Sequence, residues 1–157
     1  MKNWIAASII AIISLLAGSS QAAVDSAFVF GDNAAIFDVG AEIAPDVTVG
    51  LRGMFGYEKD GLSSTHLKID REWAGAFIHY PMLSISSDKL PVEGVVFAGA
   101  SVLYGFEGDG DVYFLPEAGV DTVISDRVSA RVVYLYNKRS EMFNDSSQVL
   151  FGVRVAF

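Results

Sequence analysis

From residue 24 to residue 157 the chain alternates apolar and polar positions with a period of two, interrupted at intervals by turn residues. Alternate side chains share one face of a β-strand, so this rhythm predicts strands rather than helices. Eight segments follow, at about 24–31, 35–44, 47–57, 68–80, 91–104, 112–123, 127–137 and 147–157. In the last, Val149, Phe151, Val153, Val155 and Phe157 form one face, opposite Gln148, Gly152, Arg154 and Ala156. The seventh sets Val128, Ala130, Val132, Tyr134 and Tyr136 against Ser129 and Arg131. The third and second oppose Leu51 and Phe55 to Gly50 and Arg52, and Phe37 and Val39 to Asp38 and Glu42.

Two segments are noisier. In the fourth, Ile69, Trp73 and Phe77 are read as the apolar face, with Asp70, Glu72, Ala74 and Ala76 opposite and His79 on the Trp73 side. The sixth places Phe114, Ala118 and Val120 away from Glu117, Gly119 and Asp121, with Pro116 on the apolar side. Proline removes one ladder donor, so a local defect or bulge is expected there. In the fifth, Val96, Ala98, Ala100, Val102 and Tyr104 oppose Glu93, Gly99 and Ser101, yet Val95, Phe97 and Leu103 share the polar side.

Tight connections at Ala44-Pro45-Asp46 and Ile124-Ser125-Asp126 alternate with longer polar ones at Glu58–Leu67, Gly105–Asp111 and Lys138–Ser146. Short turns on one side and long loops on the other, with an even strand number, suit a transmembrane barrel. No segment after residue 22 has the run of about 18 apolar residues that a helical span requires.

The charges set the direction of the two faces. Asp38, Glu42, Asp70, Glu72, Glu93, Glu117 and Asp121, with Arg52, Arg131 and Arg154, lie within strands rather than in turns. Beside them sit Gly40, Gly50, Gly56, Gly99, Gly119 and Gly152. A water-facing surface needs no such economy of volume, whereas an eight-stranded interior has only enough room for packed side chains. The polar face is therefore read as the lumen and the aromatic face as the lipid side, with Tyr57, Tyr80, Tyr104, Tyr134, Tyr136 and Trp73 as interfacial residues. The ten charges form a paired lumen network in this reading, with four acids in excess of the arginines.

Residues 1–22 have the layout of a secretory signal: Lys2, an apolar run from Trp4 to Leu16, and the small-x-small triplet Ser20-Gln21-Ala22. Cleavage after Ala22 leaves residues 23–157 as the barrel and removes one lysine and no acid. The whole chain carries 11 basic and 19 acidic residues, a net charge of −8, which argues against a nucleic-acid partner. There is no Cys, so disulfides and thiolate metal sites are excluded.

The run Val149-Leu150-Phe151-Gly152-Val153-Arg154-Val155-Ala156-Phe157, ending on an aromatic residue, resembles the terminal strand of the small eight-stranded outer-membrane β-barrels of Gram-negative bacteria. That group contains the membrane domain of the major outer-membrane protein A and the opacity-like proteins. The resemblance implies that the barrel-insertion machinery reads Phe151, Val153, Val155 and Phe157 as an assembly signal. It also implies an outer-membrane location. The expected fold is all-β: an eight-stranded antiparallel up-and-down transmembrane β-barrel.

The expected function is noncatalytic, in envelope integrity or surface contact through the external loops, as a monomer among outer-membrane lipids and lipopolysaccharide. No cofactor, metal or catalytic residue is assigned. A hydrolase would have to be assembled from His66 or His79, Ser64 or Ser84, and Glu72, whose placement along the strands is poor for proton transfer. Gly108-Asp109-Gly110-Asp111 lacks a full calcium loop. A narrow pore, a lipid-modifying barrel and a soluble periplasmic ligand-binding barrel are the alternatives.

Overall fold

The computed structural model describes residues 23–59, 67–86, 93–106, 110–137 and 147–157, with backbone only at 58, 59, 67, 68 and 70. Eight strands appear in chain order: β1 (Val24–Phe30), β2 (Ala34–Ala44), β3 (Val47–Lys59), β4 (Leu67–Ser86), β5 (Glu93–Gly105), β6 (Val112–Ser125), β7 (Val128–Tyr136) and β8 (Ser147–Ala156). Each pairs antiparallel with its neighbours in sequence, and β1 pairs with β8 to close the barrel. Closure satisfies the backbone donors and acceptors that an open sheet edge would leave to the lipid. Among the described residues no helix is long and apolar enough to cross a membrane.

The boundaries lie close to the predicted ones except in β4, which runs on through Pro81 to Ser86. Its register with β5 shifts between Pro81 and Leu83, and that irregularity absorbs the proline. The defect expected at Pro116 takes another form. Pairing with β5 continues without a shift through Ala100↔Pro116, while the ladder with β7 begins one residue later, at Glu117↔Leu135. The missing donor therefore falls at the end of a ladder. At the β2–β3 turn Pro45 is followed by Asp46 at φ 69°, the left-handed position that a proline-led type II turn demands.

The outer wall carries side chains expected to face lipid: Phe37, Tyr80, Tyr104, Phe114, Tyr134, Tyr136, Phe151 and Val153 are all exposed, and Phe28 joins them. Of the expected interfacial residues Tyr57 and Trp73 differ: Tyr57 is half-buried with its hydroxyl donating to the Gly31 carbonyl, and Trp73 is buried. Inside, Val29, Ile36, Met54, Leu103, Leu115, Val133, Leu135 and Leu150 pack into one apolar cluster. The lumen is therefore not polar throughout, as the alternation implied. An apolar tier fills the end nearer the β1–β2 turn, and the charges occupy the middle and the end where β1 begins and β8 ends.

This arrangement separates the faces experimentally. Ile36 is 1% exposed inside the barrel and Ile43 is 61% exposed outside. Ile36→Val is expected to cost about 1 kcal/mol, the usual penalty for one buried methylene. Ile43→Val gives up a similar contact with lipid, so the discriminating pair is overpacking: Ile36→Phe should destabilise the filled interior by about 1–3 kcal/mol, whereas Ile43→Phe, on the exposed face, should not lower the urea midpoint in lipid vesicles. The reverse order would invert the assignment of inside and outside.

The largest departure from the sequence reading is the orientation of β4. Trp73, Phe77 and His79 are buried in the interior, whereas Glu72, Ala76, Ile78 and Tyr80 are exposed on the wall. The rule that small residues mark the lumen failed in this strand because volume is complementary between strands. Each interior ring rests where a neighbouring strand has no side chain. Trp73 covers Gly56 and Gly105, Phe77 covers Gly40 and Gly50, His79 lies over Gly99, and Phe97 lies over Gly119. A Cβ at Gly40 would come within 2.9 Å of the Phe77 ring, and one at Gly50 within 2.6 Å.

Candidate functional site: an ion-paired interior

The charged interior is built in two tiers that share β6. In the first, Arg52 on β3 donates from Nε and Nη2 to the two Asp38 oxygens on β2, both at 2.8 Å. Its Nη1 crosses the lumen to Glu117 Oε2 on β6 at 2.6 Å and to Ser101 Oγ on β5 at 3.1 Å. The second Glu117 oxygen lies 2.8 Å from His79 Nε2 on β4. Five consecutive strands are thereby tied through one guanidinium and one carboxylate. Arg52, Asp38 and Glu117 are almost wholly withdrawn from solvent, and such charges are tolerated only when paired and hydrogen-bonded.

In the second tier Arg131 on β7 makes a two-pronged contact with Asp121 on β6, Nε and Nη2 each at 2.7 Å. Arg154 on β8 donates to Asp25 on β1 through Nε at 2.8 Å and through Nη2, and reaches Asp121 through Nη1 at 3.3 Å. The Asp25–Arg154 pair joins the first strand to the last, so it ties the closure seam. Rings pack against both tiers: the Arg52 guanidinium lies 5.2 Å from the Phe77 centroid, and that of Arg131 lies 4.8 Å from Phe97. The His79 ring sits between Phe77 and Phe97, with centroids at 4.5 and 4.7 Å.

Of the ten predicted lumen charges, Asp38, Arg52, Glu117, Asp121, Arg131 and Arg154 come together. Three do not. Glu42 is exposed at the rim, beside the register shift between Glu42 and Ala44, and among the described residues its carboxylate accepts only the Asp46 N–H at 3.4 Å. Glu72 is exposed on the outer wall because β4 presents its other face to the interior, and Glu93 is exposed at the first residue of β5. The Asp70 side chain lies outside the described residues. Asp25, Ser101 and His79 belong to the network but were not assigned to it. Asp25 could have been found from parity, since it alternates with Ala27 and Val29 on the inward face of β1.

These changes also correct the charge balance. Four acids (Asp25, Asp38, Glu117 and Asp121) face three arginines, with His79 against Glu117, rather than seven acids against three arginines. The described hydrolase candidates do not come together. His79 faces Glu117 instead of Glu72, Ser84 is exposed beyond Pro81, and His66 and Ser64 lie outside the described residues. Among the described residues no group of three His, Cys, Asp or Glu is placed to hold a metal ion. Phe151, Val153 and Phe157 of the C-terminal strand are exposed on the outer wall, and Val155 is partly covered.

An apolar outer wall around a packed, ion-paired interior is the arrangement that lipid imposes on a small barrel. A de novo designed transmembrane β-barrel shares this architecture, with a TM-score of 0.53 at 12% identity over 86% of this chain and 95% of that chain. The fold is that of a transmembrane β-barrel. Neisserial surface protein A (NspA) aligns over 87% of this chain and 96% of its own at 15% identity and a TM-score of 0.47. Ail, the attachment invasion locus protein of Yersinia pestis, aligns over 87% and 95% at 18% identity and a TM-score of 0.36. No family model and no curated protein matches the chain.

Proposed function

We propose that this protein is a noncatalytic outer-membrane β-barrel that contributes to envelope integrity or surface contact through its external loops. The observation that carries the reading is the filled interior. An apolar tier and two ionic tiers occupy the lumen, while the outer wall offers a belt of aromatic and branched side chains to lipid. Such a barrel anchors and stiffens, and leaves to its loops whatever contacts the surroundings. Residues 1–22 serve in this reading as a cleaved export signal, and the strand ending at Phe157 is what the insertion machinery recognises. The surroundings are outer-membrane lipids and lipopolysaccharide, and the working form is a monomer.

Cell fractionation tests the location. The protein is expected in the outer-membrane fraction and should migrate differently on gels with and without boiling. A monodisperse periplasmic protein that needs no detergent would overturn the reading. Planar-bilayer recording tests the filled lumen: no steady unitary current is expected, because ions would have to cross the Leu103, Leu115, Leu135 and Leu150 layer. Regular unitary steps would make the barrel a pore.

A further inference from the structure

The barrel end where β1 begins and β8 ends opens into a cavity of about 180 Å³, room for at least six waters at roughly 30 Å³ each. On one side of its lining Arg131 and Arg154 of β7 and β8 hold Asp121 of β6 between them; on the other lie Glu42 and Asp46 of β2 and the β2–β3 turn, and Pro81 and Val95 form an apolar lip. The two charged sides differ in what they leave unspent. Arg131 commits Nε and Nη2 to Asp121, and Arg154 commits Nε and Nη2 to Asp25 with one longer reach to Asp121. A guanidinium has five N–H donors, so both arginines keep donors in hand although Asp25 and Asp121 balance their charge. Glu42 and Asp46 are exposed, and among the described residues no ion pair reaches either carboxylate.

The unspent groups select a ligand. A lone anion would enter a site that already holds two unbalanced carboxylates. Among the described residues no third His, Cys, Asp or Glu joins that pair to hold a metal ion. A molecule with a cation at one end and an anion at the other meets both sides. Two guanidinia on different strands approach from two directions, which suits the tetrahedral oxygens of a phosphate, and charge-assisted arginine–phosphate bonds are among the stronger ones. We propose that this vestibule binds a small ammonium–phosphate zwitterion of the phosphoethanolamine type, the phosphate on Arg131 and Arg154 and the ammonium on Glu42 and Asp46. The apolar lip leads to exposed Leu83 and Ile85, so the same chemistry is available from a phospholipid headgroup or from a free solute.

The test uses the folded barrel in a maltoside detergent, whose headgroup is uncharged, with the arginine Nε–H signals followed by NMR. O-phosphorylethanolamine is expected to saturate, and inorganic phosphate or ethanolamine alone should bind at least tenfold more weakly. The double variant Glu42→Gln/Asp46→Asn alters only exposed rim groups, and asparagine tolerates the positive φ at 46. It should fold, as judged by the heat-dependent gel shift, and lose at least tenfold in affinity for the zwitterion. Absence of saturation, equal binding of phosphate alone, or an unchanged affinity in the double variant would each overturn the proposal. In nanodiscs, loss of the soluble probe's binding when phosphatidylethanolamine is added to phosphatidylglycerol assigns the site to a lipid headgroup. Retained binding assigns it to a free solute, and both results support the shared chemistry.

Discussion

Arg52→Met is expected to lower the stability of the barrel by about 3–5 kcal/mol, the cost of leaving buried partners without their counter-charge. Among the described residues the arginine is the only cation hydrogen-bonded to Asp38, and it supplies the charge-assisted bond that crosses the lumen to Glu117. Methionine fills similar volume, so the loss reports charge rather than a cavity. Urea unfolding in lipid vesicles, followed by the gel shift, measures the effect. Arg127 is the control: it is exposed at the β6–β7 turn, where a single charge contributes little, and Arg127→Gln should leave the midpoint in place. A matching shift in both variants would remove Arg52 from the centre of the network. The triple variant Arg52→Met/Asp38→Leu/Glu117→Leu should recover part of the loss, because replacing buried charges with apolar volume is often neutral or stabilising, while His79 and Ser101 still lose their partners in the network.

Gly152→Val should prevent closure altogether. A Cβ at residue 152 would run into the Phe28 carbonyl group and lie 2.7 Å from Val29 Cα. Those are backbone atoms of β1, which no rotamer change can move aside. The substitution therefore works against the β1–β8 pairing that spans Asp25–Phe30 and Phe151–Ala156. The expected result is a chain that shows no heat-dependent gel shift and is digested by protease in vesicles. Ala156→Val, at the end of the same pairing, is expected to fold. A closed, protease-resistant Gly152→Val barrel would show that β1 and β8 can separate to admit a side chain.

The strands and their order were legible because period-two alternation is a backbone property. It survives in β2, β3, β6, β7 and β8 with the expected residues inward. The faces were legible wherever one was aromatic and the other charged, as around Arg131 and Arg154. In β4 both alternating sets contain large and small residues, and the decision depended on which neighbouring strands carry glycine at the same height. That is information from three strands at once, and no single segment contains it. The same limit hid the Glu117–His79 contact, which joins residues 38 apart in sequence. The apolar tier escaped notice because Leu115, Leu135 and Leu150 occupy inward positions while resembling lipid-facing residues. Size and hydrophobicity alone do not separate a residue packed in a dry interior from one packed against hydrocarbon.

The rings of Trp73, Phe77, His79 and Phe97 lying over Gly56, Gly40, Gly99 and Gly119 carry a consequence for inheritance. A mutation that fills one of these hollows evicts its ring, and one that shrinks the ring opens a void, so neither step is neutral alone. Such barrels should diverge by paired exchanges that move a ring from one strand to the next. Loop sequences, free of this bookkeeping, can drift one residue at a time.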